Sequence, residues 1–250
     1  MRLHIVFNTE QPIKLPWNYQ HLLHGFLYGA IARSRPQLGS FLHEQGFVAE
    51  NHRYKMVVFS KFYPRRASTC ETGLILEPPI HWWVSSPLTA PVEALATTLL
   101  TEGEVFLQDS RLMVKRIEVE PVPELNGHVL CETISPVVVS TGVLSGEKLK
   151  KQFLSPDEKR FWEIVEANLR RKARALGLQV EEKEAVCFKK VGRWRSRLVI
   201  VQGTKVKCYE GQFTMEGEKS LLLLAYEAGL GERNMQGFGM FRIKNEPLDK

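Results

Sequence analysis

Twice along the chain the residue pattern passes through one succession of elements: strand, helix, strand, strand, helix, strand. That repetition constrains the fold more than any single motif. In the first pass, residues 2–8 read as a strand, 12–17 as a loop and Asn18 as a helix cap. Leu22, Leu23, Phe26, Leu27, Ala30 and Ile31 then recur at helical spacing, which predicts one buried stripe, with His21 and Tyr28 on the opposite face and His24 toward its edge. Pro36 opens a short inserted helix carrying Leu38, Phe41 and Leu42, ending near His43 with Gly46 beyond. Residues 55–62 and 73–85 read as strands. Pro87, at a first-turn position, starts a helix with Leu88, Val92, Leu95 and Leu99, and residues 112–119 close the pass as a strand.

The break at 121–127 separates the two passes. The second opens with a strand over 129–139. The stretch Ser155-Pro156-Asp157-Glu158 has the form of a capping box with proline at the first helical position, ahead of Phe161, Val165, Leu169 and Leu176, and Gly177 stops that helix. Strands over 178–189 and 198–214, a leucine-rich helix at 221–228 and a last strand at 240–243 complete it. This order is the split βαβ pattern, so the fold class expected is α+β, with two tandem ferredoxin-like (βαββαβ, RRM-like) domains, residues 1–122 and 123–250.

Between the last helix and the last strand lies Gly229-Leu230-Gly231-Glu232-Arg233-Asn234-Met235-Gln236-Gly237-Phe238-Gly239. A C-terminal helix cap accounts for Gly229 alone. The remaining Gly231, Gly237 and Gly239 suggest a backbone stripped of side chains, able to lie against another polymer and offer N–H groups to phosphate, with Arg233 adding a cation. A dinucleotide fingerprint is excluded, because it opens a helix, whereas this loop ends one and has Asn234 at the third glycine's place.

The formal charge of +6 and a pI near 9.1 favour a polyanionic partner. Lys189, Lys190, Arg193, Arg195 and Arg197 lie close together with no acidic residue among them and Trp194 in their midst, a combination suited to phosphate contact plus base stacking. A solvated charged turn is the bland alternative. Arg170, Arg171, Lys172 and Arg174 end a helix, where cations are favoured for electrostatic reasons alone. Four scattered cysteines make no metal or disulfide pattern, and His21 and His24 have no carboxylate or cysteine nearby to complete a site. No signal peptide or membrane-spanning run is apparent, so a cytoplasmic protein with no membrane partner is expected.

Gly229-Leu230-Gly231 and Gly237-Phe238-Gly239, with Thr133-Ile134-Ser135-Pro136-Val137, Phe153-Leu154-Ser155-Pro156, Asn168-Leu169 before Lys172 and the opening segment through Tyr28, resemble the signatures of the CRISPR repeat-processing endoribonucleases of the repeat-associated RNA-binding superfamily. The similarity spans essentially the whole chain. It implies a cytoplasmic endoribonuclease without metal or cofactor that cuts CRISPR precursor RNA within its repeats, with Tyr28, His43 and Lys55 as catalytic residues in the first domain. In such enzymes the RNA 2′-hydroxyl attacks the adjacent phosphorus, leaving a 2′,3′-cyclic phosphate and a 5′-hydroxyl. The length of the segment 45–54 leaves Lys61, Arg53 and His52 as alternatives to Lys55. His43 is expected as general acid or general base, and His21 and His24 as surface or RNA-proximal groups. The glycine stretch and the basic hairpin would grip the RNA. A non-catalytic subunit holding repeat RNA is the competing reading, and both leave room for docking on a CRISPR effector complex or for a homodimer.

Overall fold

The computed structural model describes residues 1–146, 148–179, 186–201 and 203–244. Alternation fixes β1 (Arg2–Asn8): Leu3, Ile5 and Phe7 enter the core on one face, and Arg2 and His4 lie on the other. Then come β2 (Ile13–Pro16), α1 (Gln20–Ser34), α2 (Pro36–Ser40) and a π-helical turn, Phe41–Gln45. The hairpin of β3 (Phe47–Ala49) and β4 (His52–Tyr54) follows, then β5 (Val58–Phe59), β6 (Tyr63–Cys70) and β7 (Gly73–Ser85). The helix α3 (Thr89–Glu102) and the hairpin of β8 (Glu104–Leu107) and β9 (Ser110–Glu120) complete the first unit.

The second unit contains β10 (Val129–Thr133), a hairpin of β11 (Ser140–Ser145) and β12 (Lys148–Phe153), α4 (Lys159–Ala175), β13 (Val186–Val201), β14 (Thr204–Gly217), α5 (Lys219–Ala228) and β15 (Phe241–Ile243). The first sheet runs β2-β7-β1-β9-β8 with β5 and β6 also on β7, and the second runs β13-β14-β10-β15. Stripped of insertions, both place the third strand of the βαββαβ unit beside the first, the second beyond the third, and the fourth on the far side of the first. These are two ferredoxin-like units. Helices α1 and α3 cover the first sheet through Leu23, Leu27, Ala30, Ile31, Val92, Leu95 and Leu99, around a fully buried Trp82. Helices α4 and α5 cover the second through Phe161, Val165, Leu169, Leu221 and Leu222 against Phe213 and Phe241. No helix among the described residues is long and apolar enough to cross a membrane.

Several boundaries differ from expectation. The stretch 12–17 contains β2, which pairs with β7. Asn18 does not cap α1: Tyr19 precedes its first turn, and the Asn18 carbonyl instead bonds His21 Nδ1 at 2.6 Å. Within 55–62 only Val58 and Phe59 pair, whereas the long strand β6 is almost wholly polar and exposed, so its alternation is invisible in hydropathy. Pro87 lies ahead of α3, whose first turn holds Pro91. Ser155 N–H does donate to Glu158 Oε1 at 2.6 Å, but this pair closes a turn before α4, which starts one residue after Glu158. The strand over 129–139 stops at Thr133, and Val137 makes one isolated bridge to Tyr209. Of the expected strand 178–189, residues 180–185 fall outside the described set.

The units are joined by a buried cation. The Arg2 guanidinium, on β1, donates to the carbonyls of Phe241 (2.9 Å) and Tyr226 (2.5 Å) and lies 3.4 Å from the centre of the Tyr226 ring. Truncating it strands two carbonyls and empties a packed site. Arg2→Ala is expected to cost about 3 kcal/mol of unfolding free energy in urea titrations, with Arg2→Lys recovering less than half because an ammonium does not fork. A loss under about 1 kcal/mol would show that Arg2 does not hold the units together.

Candidate functional site

The side chains expected to act together come from three separate elements. Tyr28, expected on the face of α1 opposite the core stripe, is instead half-buried and packs against the first core, and its hydroxyl donates to the Leu42 carbonyl at 3.2 Å. His43 sits in the π-helical turn, its ring edge-to-face with Tyr28 at 5.6 Å between centroids. Lys55 follows the β3–β4 hairpin and donates from Nζ to the His43 carbonyl at 2.9 Å. The rings of His24 and Tyr28 lie 4.9 Å apart, so His24 belongs to the same cluster. Of the alternatives to Lys55, Lys61 is engaged with Glu210, His52 is exposed beside Tyr54, and Arg53 Nη1 donates to the Glu44 carbonyl at 3.2 Å. Arg53 therefore stays within the cluster and Lys61 does not.

Electrostatics narrows what each group can do. Burial pushes the Tyr28 phenol up to about 12, so at neutral pH it is a hydrogen-bond donor and not a base. Burial, and secondarily the nearby Arg53 charge, lowers the Lys55 ammonium. Burial and the His43 charge lower His24.

Tyr28, Arg53 and Lys55 border a cavity of about 750 Å³ between the two units. Lys150 and Lys151 of β12, Asn168, Arg171 and Lys172 of α4, and Arg233 and Gln236 of the glycine-rich loop border it as well. Its one acidic neighbour among the described residues, Glu232, is occupied by Lys151 and by the Ser140 N–H and hydroxyl. The cavity is therefore strongly cationic. A second cavity, of about 720 Å³ and including His21 in its wall, lies beside the α1–β8 contact and holds none of Tyr28, His43 and Lys55. Among the described residues no three His, Cys, Asp or Glu side chains converge as metal ligands would.

The glycine-rich loop is placed at this cavity, but its glycines serve a different purpose from the one expected. Gly229, Gly231, Gly237 and Gly239 are buried, and the chain presses against protein, not outward. A Cβ on Gly231 would lie 2.3 Å from the Val138 carbonyl oxygen, one on Gly239 2.0 Å from that of Leu230, and one on Gly237 2.7 Å from the Phe59 ring. Residues 231–236 are what the loop presents to the cavity, so of the four glycines Gly231 borders it and the others do not.

The basic hairpin is likewise corrected in part: residues 189–197 belong to the single strand β13. Trp194 is 8% exposed, packs on Phe161, Trp162 and Phe213 and donates its indole N–H to the Gln212 carbonyl at 2.7 Å, so it offers no free face for stacking. Lys190 pairs with Asp157, and Arg197 with Glu210, acids distant in sequence. Lys189, Arg193 and Arg195 are exposed on β13. None of these residues borders the 750 Å³ cavity.

What the basic cluster on α4 conceals is a structural hub. Lys172 is 2% exposed, and its amine donates to the carbonyls of Gly229 (2.7 Å) and Ala228 (3.4 Å) and to Asn234 Oδ1 (2.7 Å). Asn234 Nδ2 in turn donates to the Leu230 and Phe238 carbonyls at 2.9 and 3.0 Å. Only the spacing of Asn168 and Lys172, one helical turn apart, hinted at this.

Residues 14–118 match the family model "CRISPR-associated protein Cas6, N-terminal" and residues 119–243 match "CRISPR associated protein Cas6, C-terminal". The chain is 30% identical to the CRISPR-associated endoribonuclease Cas6 of Pyrococcus furiosus, over 97% of its own length and 89% of the relative's. It is 26% identical to CRISPR-associated endoribonuclease Cas6 1 of Methanocaldococcus jannaschii, over 96% and 91%. Among solved structures it resembles in fold a Cas6-related protein from Pyrococcus furiosus, with a TM-score of 0.85 at 22% identity and 99% of both chains covered. It also resembles a RAMP protein described as binding different RNA substrates, with a TM-score of 0.83 at 20% identity, covering 98% of this chain and 100% of that one.

Burial draws the Lys172 ammonium from its ordinary 10.5 down to about 7. Between those values the unfolded chain holds a proton that the folded one lacks, so raising the pH favours folding. Relative to Lys172→Met, wild-type stability is expected to climb from pH 7 to 10 by up to about 1.4 kcal/mol per unit in denaturant titrations. A difference between the two proteins that stays constant with pH would refute the shift.

Proposed function

The chain belongs to the CRISPR-associated Cas6 family, and on that premise we propose that it is an endoribonuclease that cuts CRISPR precursor RNA within the repeat to release guide RNAs. The observation that carries this reading is the convergence of Tyr28, His43 and Lys55 from three elements, with Tyr28 and Lys55 bordering a cationic cavity and His43 in contact with both just outside its lining. RNA carries its own nucleophile, so the protein need only move protons and stabilise charge. The 2′-oxygen forms a bond to phosphorus as the bond from phosphorus to the 5′-oxygen breaks, giving a 2′,3′-cyclic phosphate and a 5′-hydroxyl.

In this mechanism the Tyr28 phenol, protonated at neutral pH, holds the 2′-hydroxyl in line with the phosphorus by hydrogen bonding. His43, exposed and next to Tyr28, exchanges the proton that the reaction transfers, as the acid for the leaving 5′-oxygen or the base for the nucleophile. Lys55, lying against the His43 backbone, places its ammonium beside the charge that develops on the phosphorane. The cations of β12, α4 and the glycine-rich loop hold the flanking phosphates. In this reading the first domain, 1–122, supplies the chemistry and the second, 123–250, supplies much of the grip. Exposed Lys189, Arg193 and Arg195 extend that grip outside the cavity.

Incubation with the repeat RNA of its own genome tests the proposal. His43→Ala is expected to slow single-turnover cleavage by about 10²–10⁴-fold while leaving RNA affinity within roughly threefold, since the ring contributes proton transfer rather than grip. EDTA should leave the wild-type rate unchanged, and the upstream product should carry a cyclic phosphate. Unaltered cutting by the alanine variant removes His43 from the mechanism, and EDTA-sensitive cutting defeats the metal-free route. Tight binding by the intact protein without any cutting would instead identify a non-catalytic repeat-binding subunit.

A further inference from the structure

The cleavage chemistry leaves one part of the cavity without a role. On α4, Leu169 enters the core and Lys172 ties down the glycine-rich loop, but Asn168 does neither. It borders the cavity at 7% exposure, and its side-chain oxygen is buried and accepts no hydrogen bond. Nε of Arg171 and Nε of Arg233, also at this cavity, are buried without partners in the same way. Buried polar atoms in folded proteins are overwhelmingly partnered, so four unpartnered ones gathered at one cavity, the Tyr54 hydroxyl near Arg171 being the fourth, mark where a ligand supplies missing groups.

The chemistry of these groups specifies the ligand. Two guanidinium groups suit a phosphate. A carboxamide presents an acceptor beside a donor, and the base that complements it on two of its edges, each with an amine hydrogen next to a ring nitrogen, is adenine, whereas cytosine does so on one. Met56 and Ile164 add apolar wall against which a base ring can lie, and a volume of about 750 Å³ admits a nucleotide. We propose that this cavity holds one unpaired adenylate of the repeat RNA, its base read by Asn168 and its phosphate held by Arg171 and Arg233. The proposal rests on the RNA-processing reading above and adds a residue that determines specificity.

The test uses the full chain and its own repeat RNA, with each unpaired adenosine near the cut replaced in turn by nebularine, which lacks the exocyclic amine. At one position the analogue should weaken wild-type binding by about tenfold, as the loss of one hydrogen bond of ordinary strength would. Asn168→Leu should show at least that loss on natural RNA and no further loss with the analogue, because the variant has already lost the bond to the amine that the analogue lacks. Its thermal midpoint should equal or exceed that of wild type, since it removes a polar atom with no partner in the free protein; a structural asparagine would behave in the opposite way. Asn168→Ala provides the same RNA comparison if the leucine variant does not fold. Arg171→Ala should weaken all the RNAs alike. Insensitivity to nebularine at every position, a preference for another base, or losses that add between variant and analogue would overturn the assignment. Wild-type protein that neither binds nor cuts the natural repeat would fell the functional reading itself, a result distinct from binding that ignores adenosine.

Discussion

The arrangement at the cleft depends on one buried amine. Taking the Lys172 side chain out of water costs several kcal/mol, a cost offset here by three oxygen acceptors. Those acceptors lie at the end of α5 and in the short helical turn Asn234–Gln236, so α4, α5 and the loop are set relative to one another by a single group. Asn234 extends the control by bridging the two sides of the loop, from Leu230 to Phe238. The loop residues that face the cavity are thereby fixed from behind, through contacts that never touch a ligand.

From the loop the constraint passes into the first unit. Gly237 lets the chain rest on the Phe59 ring, and Met235 joins the core of the first unit although it belongs to the second in sequence. Arg2 makes the reciprocal connection, reaching from the first strand to the end of α5 and to β15. The cavity walls are thus held from both sides. This allows Tyr28 and Lys55 to face α4 and the loop at a fixed separation, without a large interface dedicated to that purpose.

Much of this was legible in the residues, for physical reasons that differ from place to place. The core stripe of α1 and the bounds of β7 could be read because burial imposes periodicity on apolar side chains. The grouping of Tyr28, His43 and Lys55 came from resemblance, since no local pattern links residues brought together by tertiary folding. Strand β6 was invisible because it is held by pairing with β7 and buries little. Trp194 misled because its neighbours on β13 are charged and exposed, while it points alone into the core. A strand alternates faces, and a mixed composition conceals which face an aromatic takes. The glycines signalled a close approach correctly, but a sequence does not say whether the approaching backbone belongs to the protein or to a ligand. Asn168 and Lys172 were recognisable as a spacing, and Lys172 became interpretable only once its partners, some sixty residues away, were in place.

The turn that carries His43 has a further consequence. A π-helical turn spends one more residue per hydrogen-bonded ring than an α-helix, which swings the residues after it around the helix axis by roughly 100°. At Phe41–Gln45 that extra residue sets the direction in which the imidazole leaves the backbone and lets the following carbonyls meet Arg53 and Lys55. Removing or adding a residue between Ser40 and Gly46 would therefore redirect the histidine even with every side chain retained. The length of this stretch is accordingly fixed by geometry, although most of its residues face solvent and only Leu42 is buried.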